Sequence, residues 1–197
     1  MKKLSPVLAL SLASLSACGG GSGATGPDAA PSGGAVTAWA GTARRTMVTD
    51  AGPLLSETTW EITGLTWVRD GAANPPGQTS FRIGSGRVKE SIRQVTGPCT
   101  AFGDAEYALA PEDGRLVVTA GSYSGVIQRR TDDPITVVAN CGFGSGVADL
   151  TDRLEMPIDG AADTARAADR LRGTTSITVA ATTNTATWDF TATARER

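Results

Sequence analysis

The sequence predicts an all-β domain, an antiparallel β-barrel or β-sandwich of about eight to ten strands. Three observations lead to it. Threonine, valine and tryptophan recur from Ala35 onward, and apolar residues at helical spacing are missing. Apolar and polar residues alternate with a period of two over long stretches, as a half-buried strand requires. Glycine, proline, asparagine and aspartate clusters divide those stretches into lengths that suit hairpins.

The first strand pair joins Val36–Val48 to Leu55–Val68 through Asp50-Ala51-Gly52-Pro53. Within the second of these, Trp60 and Ile62 share one parity, and Leu65 and Trp67 share the other. The switch falls across Gly64, the signature of a β-bulge. Further strands are predicted at Ser80–Ile83 and Arg87–Val95. A second hairpin is read from Tyr107 and Leu109, through Pro111-Glu112-Asp113-Gly114, to Leu116-Val117-Val118. Proline pre-sets the first turn torsion there, and Gly114 would take the left-handed one. Strands follow at Gly125–Arg130 and Ile135–Asn140.

Asp159 to Gly173 is alanine-rich, with Asp163 placed like a helix N-cap and Gly173 like a stop. It reads as a short helix or a loop, and the loop is preferred because the segment has almost no apolar face to bury. The clearest hairpin is the last. Ile177, Val179 and Ala181 alternate with polar or small residues, as do Ala186, Trp188, Phe190, Ala192 and Ala194. The turn is assigned to Thr182-Thr183-Asn184-Thr185, where asparagine tolerates a positive φ.

The N-terminal end has a different character. Met1-Lys2-Lys3 is basic, and Leu4 to Leu15 is a mostly apolar run of 12 residues. That is well short of the roughly 20 that span a bilayer as a helix, so it reads as a secretory signal. Its end, Leu15-Ser16-Ala17-Cys18, resembles the lipobox of bacterial lipoproteins: a branched apolar residue, two small residues, then cysteine. The resemblance covers residues 1–18 and implies cleavage after Ala17 and lipid on the Cys18 thiol. In that family the new N-terminus is usually acylated too, and two or more chains hold a membrane stably where one does not. Gly19, rather than aspartate, after the cysteine resembles the sorting pattern of outer-membrane lipoproteins in Gram-negative bacteria.

Gly19 to Gly34 (GGGSGATGPDAAPSGG) contains nothing that can build a core. It reads as a flexible tether with a root-mean-square reach of roughly 20–25 Å. The expected organisation is therefore a signal peptide at 1–17, lipidated cysteine and tether at 18–34, and a β-domain at 35–197. In the first strand, Trp39-Ala40-Gly41 resembles, in reversed order, the glycine–tryptophan signature of small lipocalin-like barrels. A lipocalin-like barrel is thus one form the domain can take, although no ligand-binding residue carries across.

With Cys18 assigned to lipid, Cys99 and Cys141 make an even pair in a protein bound for an oxidising compartment. They lack Cys-x-x-Cys redox spacing, and a structural disulfide is expected. Closing a loop of about 40 residues contributes roughly 4 kcal/mol in the chain-entropy model.

Composition removes several chemistries. There is no histidine, which excludes Ser-His-Asp and Cys-His catalysis and removes the commonest zinc ligand. Cleavage after Ala17 would move the net charge from -2 to about -4, which argues against a nucleic-acid partner. Gly142-Phe143-Gly144-Ser145-Gly146 lacks the lysine of a phosphate-cradling loop and reads as a flexible turn. Asp132-Asp133, and Asp149 with Asp152, lack the pattern of a calcium loop and read as turn or capping residues. No metal or cofactor is expected.

Glu57 and Glu61 share a strand face opposite Trp60, where carboxylates are usually solvated. The pairs Arg44-Arg45 and Arg129-Arg130 read as solvated surface, and Trp39, Trp60, Trp67 and Trp188 as core. The expected function is a membrane-anchored cell-envelope lipoprotein with a non-enzymatic binding or structural domain. Two alternatives belong to other classes: a barrel carrying a small apolar ligand, and an envelope hydrolase that works with carboxylates alone.

Overall fold

A computed structural model describes residues 34–72, 74–128, 135–142, 144–150, 154–161 and 169–196. The signal segment, Cys18, the tether up to residue 33, Arg129-Arg130, Asp132-Asp133, Asp152 and Asp163 lie outside the described residues. What is described is all-β and antiparallel, with eleven strands and a 3-10 turn at Pro111–Asp113.

The chain opens with a long hairpin, β1 (Val36–Ala51) and β2 (Leu54–Arg69), turned at Gly52-Pro53. Gly52 sits at φ +70°, a conformation glycine adopts at no steric cost. The predicted bulge is present in β2. Gly64 is at φ +58°, and the ladders to both neighbouring strands slip across it. Because one extra residue flips the parity, Trp60, Ile62, Leu65 and Trp67 all bury on the same side.

The next strand, β3 (Gln78–Thr96), is continuous where two strands were predicted. Its glycines Gly84 and Gly86 lie opposite the β2 bulge, where the ladder slips, and a Cβ at Gly84 would press on Thr66 and Val68. Two successive segments share the far side of β3. β4 (Cys99–Ala108) pairs with its C-terminal half, and β5 (Gly114–Thr119) with its N-terminal end.

The sequence-based hairpin through Pro111-Glu112-Asp113-Gly114 is therefore corrected. β4 and β5 do not pair with each other; they run on in one direction, interrupted by the 3-10 turn Pro111–Asp113. Asp113 closes that corner by accepting the Ala110 amide at 2.7 Å through its carboxylate. Gly114 is extended, at φ -168°, and not left-handed. It is needed for space, since a Cβ would come within 2.6 Å of Ile83 and 2.9 Å of the Val126 carbonyl.

Beyond the corner the sheet divides. One branch continues from β5 to β6 (Ser122–Gln128) and β9 (Glu155–Ala161). The other runs from β4 to β7 (Ile135–Cys141) and β8 (Gly144–Leu150). The glycine-rich 142–146 segment thus turns early, and Gly144 onward is strand. On the opposite side, β10 (Arg170–Val179) and β11 (Thr182–Arg195) form a hairpin that pairs with β1. That hairpin turns at Ala180-Ala181, two residues before the predicted turn, and Ala180 rather than Asn184 holds the positive φ of 53°. Asn184 is a strand residue accepting a hydrogen bond from Arg45 Nε at 2.9 Å. Threonine pairs fix the register, with Thr178 facing Thr183 at 3.0 Å and Thr49 facing Thr182 at 2.9 Å. In the 159–173 segment read as helix or loop, 162–168 fall outside the described residues, while 159–161 and 170–173 are strand.

The path β10-β11-β1-β2-β3-β5-β6-β9 curls around one core. All four tryptophans lie in it, with Phe81, Ile83, Leu116, Ile158, Leu171 and Phe190. Among the described residues no ladder joins β9 to β10, but Tyr123 of β6 reaches the β10–β11 edge and hydrogen-bonds there. The β7–β8 branch has a small core of its own, in which Ile135 and Val137 pack on Ile92.

Candidate functional site

The side chains opposite the core stand on the outer face of β10, β11, β1, β2, β3 and β4, and the ladders align them in rows. One row runs Thr174, Thr187, Arg44, Glu61, Lys89, Glu106, from β10 to β4. The next pairs Thr59 with Ser91 and Asp104, and the one beyond it pairs Glu57 with Arg93. Opposite charges therefore face each other across neighbouring strands, the arrangement that stabilises a sheet surface.

Two shallow grooves open on this face. One, of about 600 Å³, is lined by 172–174 of β10, 187–189 of β11, 42–44 of β1 and 61–63 of β2. The other, of about 530 Å³, is lined by Arg44, Glu57, Thr59, Glu61, Lys89, Ser91, Arg93 and Asp104. Arg44 and Glu61 border both, so the two form one polar tract.

Two ion pairs hold charged groups along it. Arg93 Nη2 donates to both oxygens of the Asp104 carboxylate, at 3.0 and 3.2 Å, and Nη1 donates to the Ile92 carbonyl at 2.7 Å. Arg170 forms a two-point pair with Asp189. That hydrogen bond holds the Asp189 carboxyl below its ordinary range and the Arg170 guanidinium above its own. These groups are mostly exposed, so water screens both pairs and neither adds much to the stability of the fold.

The sequence-predicted residues fall as follows. Glu57 and Glu61 share the outer face, opposite Trp60, as expected. They are four positions apart on one strand, so their Cα atoms are about 13 Å apart. Carboxyl pairs of glycosidases lie roughly 5–9.5 Å apart across a cleft. The two acids thus stand side by side among cations and do not converge. Among the described residues no group of three or more acids, cysteines or histidines is placed to hold a metal. Asp149 sits in β8 and accepts a hydrogen bond from Thr136 at 2.9 Å.

The reading of Arg44-Arg45 as solvated surface holds for one residue only. Arg44 is exposed on the polar tract, but Arg45 is 8% exposed, with its guanidinium 4.6 Å above the Trp60 ring. Strand alternation sends adjacent residues to opposite faces, so one of any such pair must enter the core side. Here a tryptophan receives it, in an arrangement that attracts a cation electrostatically. Glu90, fully buried and accepting from Tyr107 at 3.2 Å, pairs with Trp60 from the other side.

Cys99 and Cys141 are joined in a disulfide, at facing ends of β4 and β7. Sequence reasoning identified these two cysteines but missed Lys89, Arg93, Asp104 and Arg172 as neighbours of Glu61 and Arg44. Their only sequence signal is polar alternation opposite the tryptophans, and register across strands is needed to assemble it.

No protein-family model, no curated protein and no solved structure matches this chain.

Proposed function

We propose that the chain is a lipid-anchored protein of the bacterial cell envelope, held in the outer membrane where the source is Gram-negative, whose β-domain is a non-enzymatic binding or structural module. The observation that carries this is Leu15-Ser16-Ala17-Cys18 followed by a glycine-rich stretch, with the first strand opening only at Val36. A domain that starts some distance after the cysteine leaves the intervening chain free to act as a tether.

The domain supports a binding or structural role over the two alternatives. Its inward positions are occupied by interdigitated tryptophan, phenylalanine, isoleucine and leucine at 6% exposure or less, which weighs against a carrier. Its outer tract sets cations among the acids, and Glu57 and Glu61 stand side by side on one strand without converging, which weighs against a carboxylate hydrolase. A surface that alternates charge and hydroxyl groups suits a polar partner met at the envelope.

The test is Cys18→Ala in the native host, read by labelled-palmitate incorporation and membrane fractionation. Loss of the label and release from the membrane fraction are expected. A variant that is cleaved and sorted like the original overturns the assignment.

A further inference from the structure

Three strands end the sheet among the described residues: β8, β9 and β10. An unpaired edge presents a row of backbone donors and acceptors, and proteins blunt such edges with proline, charge or a covering element. β9 carries Pro157 and Asp159. β10 carries Arg170 and Arg172, and the Arg172 carbonyl is met by the Tyr123 hydroxyl at 2.8 Å. Among the described residues β8 carries no proline and no covering strand. Its sequence is Gly-Ser-Gly-Val-Ala-Asp-Leu, and its one charge, Asp149, is turned toward Thr136 of its own hairpin.

An apolar row leads to that edge. Phe102 of β4, Val138 of β7 and Val147 of β8 are cross-strand partners on one face. Phe102 is 44% exposed and Val147 is 71% exposed. Apolar area of this kind, running to an open edge, is a known route to strand pairing between chains.

The strand is also complementary to itself. Laid antiparallel on a second β8, Gly144–Leu150 matches over its whole length with a two-fold axis at Val147. Val147 then faces its own copy, and each Asp149 faces a Ser145, so no like charges meet and each carboxylate gains a hydroxyl donor. The Phe102–Val138–Val147 row continues unbroken into the same row of the other copy. On the reverse face Gly146 and Ala148 are exposed and small, and a Cβ at Gly146 would meet nothing within 4 Å. Nothing there obstructs an approaching strand.

We propose that the open edge of β8 is a self-association surface on which two copies of this chain pair antiparallel, centred on Val147. Such an interface is isologous, as in most homodimers, and joins the two sheets into one. A single short ladder with one apolar row is a small interface, so the dimer is expected to be reversible and concentration-dependent.

Sedimentation of the full chain, isolated in mild detergent, over a hundred-fold concentration range is the test. A monomer–dimer equilibrium is expected, with Val147→Lys reducing the dimer fraction at least ten-fold while the far-ultraviolet circular dichroism stays unchanged. Because Val147 is largely exposed in the single chain, that variant folds. Val147→Cys is expected to cross-link into a covalent dimer under mild oxidation, whereas Ser145→Cys, facing Asp149 of the other copy, is not. A chain that stays monomeric at the highest concentration overturns the proposal. So does a dimer that Val147→Lys leaves intact, or equal cross-linking at positions 145 and 147.

Discussion

Tyr123 and Trp188 meet across the gap that the described residues leave between β9 and β10, with the indole Nε1 donating to the phenol oxygen at 3.0 Å. Each lies over a glycine on the edge strand beside it. Tyr123 faces Gly160 of β9, and Trp188 faces Gly173 of β10. A Cβ would come within 2.4 Å of the phenol at Gly160 and 2.3 Å of the indole at Gly173. The Tyr123 hydroxyl then donates to the Arg172 carbonyl, taking the place of a ladder bond that β10 lacks on this side. The seam is thus closed by two rings and two hydrogen bonds where a barrel would have a full ladder.

Tyr123→Phe keeps the ring and removes the hydroxyl, leaving the buried Trp188 Nε1 and the Arg172 carbonyl to find other partners. A buried group left unsatisfied costs about 1–3 kcal/mol. Urea unfolding is expected to show a loss in that range. Amide exchange should rise first in β9 and β10, while the β1–β2 hairpin keeps its protection.

The same hydroxyl gives the fold an alkaline limit. Burial raises the Tyr123 pKa above its ordinary value of 10.0, opposed by the hydrogen bond from Trp188 and assisted by the Asp159 carboxylate. With the folded value above the unfolded one, the folded state holds its proton longer. The stabilisation is complete below about pH 10 and is lost as pH rises through the folded value. Melting temperature is expected to fall above pH 10 more steeply in the native chain than in Tyr123→Phe. Parallel curves for the two would show that the hydroxyl does not set this limit.

The sequence made the core faces legible because burial imposes a strict period of two. It revealed the Gly64 bulge because an extra residue flips parity, and Trp60 to Trp67 record the flip. Turn position was less legible. At Pro111-Glu112-Asp113-Gly114 the turn residues are real, but they form a corner between two collinear strands, and local chemistry does not say what each strand pairs with. At the last hairpin, Asn184 was a good turn candidate that cross-strand hydroxyl pairs drew into the ladder, leaving an alanine in the turn. Arg45 was misread for another reason: its acceptance into the core depends on Trp60, a neighbour supplied by a different strand. The polar tract joining Glu61 to Arg44, Lys89 and Arg93 is likewise a property of register, which one strand does not encode.

Ala180 offers a direct gain in stability. A non-glycine residue in the left-handed region carries about 1–2 kcal/mol of strain, of which the extra unfolded-state freedom of glycine offsets a part. Ala180→Gly is therefore expected to raise stability by about 0.5–1 kcal/mol, seen as a higher urea midpoint at unchanged slope. A lower midpoint would mean that the turn tolerates alanine without strain.

The disulfide acts on one branch of the sheet. β7 is attached to β4 by three residue pairs, Thr100–Asn140, Ala101–Ala139 and Phe102–Val138, and Cys99–Cys141 continues that short ladder at its end. Beyond it, the β7–β8 hairpin rests on the small cluster of Ile92, Ile135 and Val137, separate from the tryptophan core. The long ladders among β11, β1, β2 and β3 do not depend on the crosslink. Replacing both cysteines with alanine is expected to destabilise the chain by up to about 4 kcal/mol. The loss should be uneven: amides of 135–141 and 144–150 exchange much faster, while those of β1, β2 and β11 change little. Tryptophan fluorescence, which reports the main core, should keep its native spectrum while the hairpin opens, because separate clusters allow local opening below the global transition. Uniform acceleration of exchange across all eleven strands would instead make the branch and the main core one cooperative unit.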